Sequence, residues 1–212
     1  MSNMSELPPA VDFKEVITLD PKKTALLVVD MQNGFVEEGA QYESRGGREI
    51  IPNIEKLIKF CRDNAIAVIW SQSDHSYPAS GIFCKKFPPI GQAKYLWKGT
   101  KSFEIYKGML QPTDKEYRIV KHKYDVFYET DLESILRNLG LDTLIITGVT
   151  TDVCVEFAAR SAICRDIKAV VATDCCAALL PGEQEASIIR ISMFFGRTMT
   201  ADEIISELRE RL

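Results

Sequence analysis

No apolar run in this sequence approaches the length of a membrane span, and the opening MSNMSELPPA lacks the basic-then-apolar pattern of a secretory leader. The expectation is a cytoplasmic protein. Positive charge is not in excess: 26 Lys and Arg face 30 Asp and Glu, for a net charge of −4. The acidic residues are spread out, and nothing resembles the basic footprint of a nucleic-acid or membrane-surface binder. The expected partner is therefore a small molecule. Six cysteines stand at irregular spacings in a chain too large to need stapling, which points to free thiols. Adjacent Cys175 and Cys176 read as packing residues at a strand end, with a redox pair as the lesser alternative. Histidine is nearly absent, with only His75 and His122. In SQSDHSYP, His75 follows Asp74 with no second histidine nearby, and a lone His beside an Asp reads as a hydrogen-bonded pair rather than a ligand set. No metal and no cofactor is expected.

What the sequence does have is 46% hydrophobic residues, enough to fill the core of one ordinary domain over 1–212, with 1–12 a flexible or arm-like N-terminus. The apolar residues alternate between two periodicities. KTALLVVDMQ, AIAVIWSQS, EYRIVKHK, DTLIITG and IKAVVATD are short apolar runs, the mark of strands covered on both faces. Between them IPNIEKLIKFCRDNAI, DLESILRNLG, DVCVEFAARSAICRD and PGEQEASIIRISMFFG carry helical spacing, with Pro52 in a first turn and Gly140 closing a helix. Strands alternating with helices predict an α/β fold: a doubly wound parallel sheet in three layers, with helices on both faces. The interval 77–111, rich in Pro, Gly, Lys and aromatics, breaks the rhythm and is expected to form a loop excursion over a site.

In an open α/β sheet ligands bind beyond the carboxyl ends of the strands. Asp30 ends LLVVD, Lys121 ends YRIVK, and Cys154 begins the helix after LIITG. Parallel strands bring such ends to one rim, where an acid, a base and a sulfur nucleophile can meet. Each also has a bland reading: Asp30 as a turn cap, Lys121 as a solvated strand-end charge, Cys154 as a packed thiol.

LLVVDMQNGF, VKHKYDVFYETDL and TGVTTDVCVEFAARSA together resemble the isochorismatase-like cysteine hydrolases, in particular the branch of N-carbamoylsarcosine, ureidoacrylate and biuret amidohydrolases. The resemblance implies a catalytic set of Asp30, Lys121 and Cys154, a cis peptide between Val149 and Thr150, and an oxyanion hole of the Thr150 and Cys154 backbone N–H groups. It implies hydrolysis of a C–N bond in a small carbamoyl, ureido or amide substrate, releasing ammonia through a covalent acyl-enzyme. It also implies a homo-oligomer, dimer or tetramer, to which the apolar stretch Met193, Phe194 and Phe195 contributes if it does not fold into its own core. Nicotinamidases of the wider family hold a metal with an Asp and two His near the second strand, a set this chain lacks. A nicotinamidase-like amidase stays open as an alternative. A vinyl-ether hydrolase acting on isochorismate, whose relatives lack the thiol, and a non-catalytic interaction domain are both disfavoured by Cys154. Gln32, Phe35, Gln72, Tyr124 and Phe127 lie beside the strand ends and are the candidate substrate-binding residues. For Lys85, Lys86, Lys94 and Lys98 two readings stand, contact with a substrate carboxylate or a solvated face; Trp97 either closes over the ligand or anchors its loop.

Overall fold

The computed structural model describes residues 11–76 and 81–212. In chain order these form α1 (Phe13–Val16), β1 (Thr24–Val29), α2 (Asn33–Val36), α3 (Ile51–Asp63), β2 (Ala67–Ser73), α4 (Gly81–Lys86), α5 (Pro88–Gln92), β3 (Tyr117–Lys121), α6 (Leu132–Leu139), β4 (Thr143–Val149), α7 (Glu156–Ile163), β5 (Lys168–Ala177), α8 (Glu183–Phe194), β6 (Arg197–Met199) and α9 (Ala201–Arg209). The six strands make one parallel sheet in the order β3-β2-β1-β4-β5-β6. This is the expected doubly wound α/β fold, and its strand order reverses direction between β1 and β4.

Alternation along β1 explains why its sequence is apolar throughout. Leu26 and Val28 pack into one core with Ile54, Leu57 and Ile58 of α3 and Ile204 of α9. Ala25, Leu27 and Val29 face the other core, with Leu132 and Leu136 of α6 and Ala158, Ala159 and Ala162 of α7. A strand covered on both faces has no water-facing side to record in polar residues. Gly140 ends α6 in the left-handed conformation at φ +67°, which a residue without Cβ adopts freely.

The strand order also demands one close approach. Beside the reversal point the register between β4 and β5 shifts between Ile146 and Gly148, and Gly148 has φ +101°. A Cβ built there would lie 2.1 Å from the Val29 carbonyl oxygen, so β1 and β4 meet at a distance only glycine permits.

Several elements differ from the sequence reading. The segment after β2 is not structureless: its described part, 81–111, contains α4 and α5 and docks through the pairing of Gln32 with Ile105. Residues 77–80 of that expected excursion, and all but Val11 and Asp12 of the expected N-terminal arm, fall outside the described residues. β6 and α9 follow α8 without having been anticipated, because three strand residues, Arg197–Met199, are too few to display a period. All six cysteines are free. Met193 and Phe194 are exposed, whereas Phe195 packs against the second core under the Arg160 guanidinium.

Candidate active site

Four strands of the sheet deliver polar side chains to one point beside the reversal. Asp30 follows β1 at φ +50°, and its carboxylate lies against β2. There Ser71 Oγ donates to Oδ1 at 2.8 Å and Ser73 Oγ to Oδ2 at 2.9 Å. Ser71 and Ser73 share a face because alternate residues of a strand point the same way. The register sets Ser73 opposite Lys121 at the end of β3. Lys121 Nζ meets Asp30 Oδ2 at 2.7 Å, Ser73 Oγ at 2.8 Å, the Lys123 carbonyl at 3.2 Å and Cys154 Sγ at 3.4 Å. Asp30 and Lys121 are wholly buried, and Cys154 is 7% exposed. A buried charge pair of this kind is tolerable only because nearly every lone pair and proton has a partner.

The cysteine sits in a π-helical turn, Thr151–Val155, between β4 and α7. The Val149–Thr150 peptide before it is cis. The amides of Val153 and Val155 both reach the Thr150 carbonyl at 3.1 Å, and the Cys154 amide between them takes no part in that pair. Asp152, in the same turn, accepts from the amides of Leu179 at 2.9 Å and Leu180 at 3.1 Å, and so ties the loop after β5 to the turn that carries Cys154.

Burial pushes the Cys154 thiol up to about 12, with Lys121 pulling the other way and Asp30 adding to the rise. The resting sulfur is therefore protonated, and loses its proton only to a neighbouring base. Burial opposes the charge on Lys121, but Asp30 and Cys154 outweigh it and hold the ammonium above its ordinary value. The resting arrangement is a neutral thiol beside a lysine–aspartate ion pair.

In front of Cys154 lies a cavity of about 410 Å³. Of the expected substrate-contacting residues, Phe35 and Tyr124 line it. The other three do not. Gln32 is fully buried and spent: its Nε2 donates to the Ser73 and Phe103 carbonyls at 3.0 and 2.8 Å, and its Oε1 accepts from the Ser73 amide at 2.7 Å. Gln72 points to the side of β2 opposite Ser71 and Ser73, donating to the Phe103 carbonyl at 2.9 Å. Phe127 packs in the second core beneath the Arg165 guanidinium. Of the four lysines considered, only Lys86 lines the cavity, and Leu96, not Trp97, forms its wall.

The sequence alone did not single out Ser71 or Ser73, and it gave His75 no place in the site. Their signal was present: small hydroxyls at alternate positions closing an apolar strand, with the histidine next in the same register. Asp74 and His75 are not the hydrogen-bonded pair that adjacency suggested. Asp74 Oδ1 accepts from the amides of Ser76 at 2.9 Å and Lys98 at 3.0 Å, while His75 turns to the opposite side and lines the cavity. His122 Nδ1 meets the Asp74 carbonyl at 2.7 Å. Among the described residues no three His, Cys, Asp or Glu side chains converge as metal ligands would.

The family model for the isochorismatase domain matches residues 24–203. A probable inactive nicotinamidase from Arabidopsis thaliana is 33% identical over 190 residues, spanning 88% of this chain and 97% of its own. The ureidoacrylate amidohydrolase RutB of Rhizobium rhizogenes is 30% identical, spanning 92% and 87%. Among solved structures, a cysteine hydrolase from Pseudomonas syringae pv. phaseolicola superposes with a TM-score of 0.87 at 27% identity, covering 92% of this chain and 97% of that one. With residues 24–203 matched by the family model and most of its length by these relatives, the chain belongs to the isochorismatase family of hydrolases.

Proposed function

We propose that the protein is a cysteine amidohydrolase that cleaves the terminal C–N bond of a small carbamoyl, ureido or amide substrate and releases ammonia. The observation that carries this reading is the buried contact chain from Asp30 through Lys121 to Cys154 at the foot of the cavity. An interaction domain relieved of catalysis has no use for an ion pair held out of water against a thiol. The name of the plant relative raises that alternative, and the intact set here speaks against it.

The chemistry follows from the resting protonation. Asp30 takes the thiol proton as sulfur attacks the carbonyl carbon, because a thiol held near 12 supplies almost no thiolate by itself. Lys121 stays charged and balances the negative charge passing between sulfur and carboxylate. The carbonyl oxygen becomes an oxyanion that the Thr150 and Cys154 N–H groups receive, since amides at a helix start point outward. Asp30 returns its proton to nitrogen, the C–N bond breaks, and ammonia leaves a thioester, or a thiocarbamate when the carbonyl carries a second nitrogen. Water enters, gives a proton to Asp30 and attacks; the C–S bond breaks, Cys154 recovers its proton, and the acid departs.

The test is ammonia release from a panel of ureido acids, biuret, carbamoylated amines and primary amides, with intact mass measured after rapid acid quench. An adduct mapped to Cys154, and loss of at least about 10³-fold in turnover in Cys154→Ala, are expected. Full turnover in that variant, or an adduct on another cysteine, would refute the mechanism.

A further inference from the structure

The cavity is unlike the network at its foot. Its wall is built from aromatic and branched side chains, among them Phe35, Phe83, Phe87, Ile90 and Leu96, with Leu179 and Leu180 from the loop after β5. Ser73, which also lines it, is engaged with Asp30 and Lys121. Within this apolar wall two polar atoms lack any hydrogen-bond partner among the described residues, Tyr42 Oη and His75 Nδ1. His75 is fixed by its backbone and by one ring contact. Its backbone amide donates to the Leu96 carbonyl at 2.9 Å, and its ring meets Phe83 at 5.1 Å between centroids. His75 is 6% exposed, so water does not reach it freely. A buried polar atom left unpaired costs about 1–3 kcal/mol, and a half-turn of this ring, which lines the cavity, is what would present the nitrogen to an occupant.

We propose that His75 is a specificity-determining residue, its imidazole hydrogen-bonding a heteroatom on an uncharged, largely apolar acyl group whose amide carbonyl is presented to Cys154. This rests on the amidohydrolase reading and names the substrate class for it. Burial, with Lys121 nearby, lowers the His75 pKa to about 4, so at neutral pH the ring offers one donor and one acceptor and no charge. An apolar wall with one or two placed polar groups is how a site selects a ring or branched alkyl group bearing a single polar atom. Among the described residues of the wall a substrate carboxylate finds no buried cation: Lys86 is exposed, and Lys121 is committed to Asp30 and Cys154.

The experiment compares primary amides identical in shape but for one ring atom, benzamide against pyridine- and pyrrole-carboxamides, and adds carboxylate-bearing ureido acids. It uses wild type, His75→Leu and His75→Asn. The wild type should favour at least one heteroatom member over benzamide by about tenfold or more in kcat/KM. The ratio should fall to near one in His75→Leu and return in His75→Asn, a pattern that mere loosening of the fold does not produce. Binding of the same pairs to Cys154→Ala protein by calorimetry reads the preference without turnover. A ratio unchanged in His75→Leu, no preference in binding, or preference for the carboxylate-bearing amides would overturn the proposal even if Cys154 forms its adduct. His75-dependent binding without any Cys154 adduct would uphold it and sink the proposed reaction instead.

Discussion

Two turns of the same strand edge treat their polar atoms in opposite ways. At Ser73 the hydroxyl donates to Asp30 and accepts from Lys121, and the backbone amide is taken by Gln32. Two residues on, in the same register, the His75 imidazole carries an unpaired nitrogen. The first region is complete before anything binds, as chemistry at a fixed point requires. The second is left incomplete, and what is missing there is the partner that a ligand brings. On the proposed reading, the saturated network serves the reaction and the unsaturated wall serves recognition.

The sharpest way to break this comparison is at the saturated end. Lys121→Met should leave a wholly buried Asp30 without its counter-charge, at a cost of about 3–5 kcal/mol that urea unfolding would measure, with turnover lost alongside. A cost under about 1 kcal/mol would mean the ion pair is not the keystone described.

The unsaturated end predicts a smaller effect with a definite sign. The folded His75 pKa, near 4, lies below the ordinary 6.5. The neutral ring's contribution to stability is therefore complete above about pH 6.5 and is lost as pH falls toward 4, for up to about 3 kcal/mol. The unfolded chain binds the proton first. Urea midpoints of wild type and His75→Asn across pH 4–8 should diverge in slope within that window, and parallel slopes would show that the imidazole is not held neutral by burial.

The smallest effect should come from behind the wall. Gln72→Leu removes one hydrogen bond to the Phe103 carbonyl, which Gln32 continues to satisfy. About 1 kcal/mol of stability should go, and the heteroatom preference should not move. A changed preference would make Gln72 part of recognition after all.

How far the sequence carried these assignments follows from the same contrast. Sheet strands and their helices declared themselves because each must repeat an apolar residue with its own period to fill two cores. Asp30, Lys121 and Cys154 stood out because strand ends are where a parallel sheet gathers reactive groups. The cavity wall declared itself only in Phe35 and Tyr124. Gln32 and Gln72 looked like recognition groups by type, yet side-chain chemistry says nothing of the carbonyls a folded loop presents to them. Tyr42, Phe83 and Ile90 come from segments with no common period, and only tertiary contact makes them neighbours. His75 was read through its sequence neighbour Asp74, whereas alternation along an extended chain sends adjacent residues to opposite sides.

Position 148 gives the site an unusual kind of fragility. The seam between β1 and β4 closes on the space where a methyl group would otherwise be, with the Val29 carbonyl 2.1 Å from the absent atom. Asp30 follows directly on one side of that seam, and the turn bearing Cys154 follows on the other. A mutational lineage could therefore exchange most of the cavity wall, but a single carbon at 148 would push apart the two strands that hold Asp30 and Cys154 together.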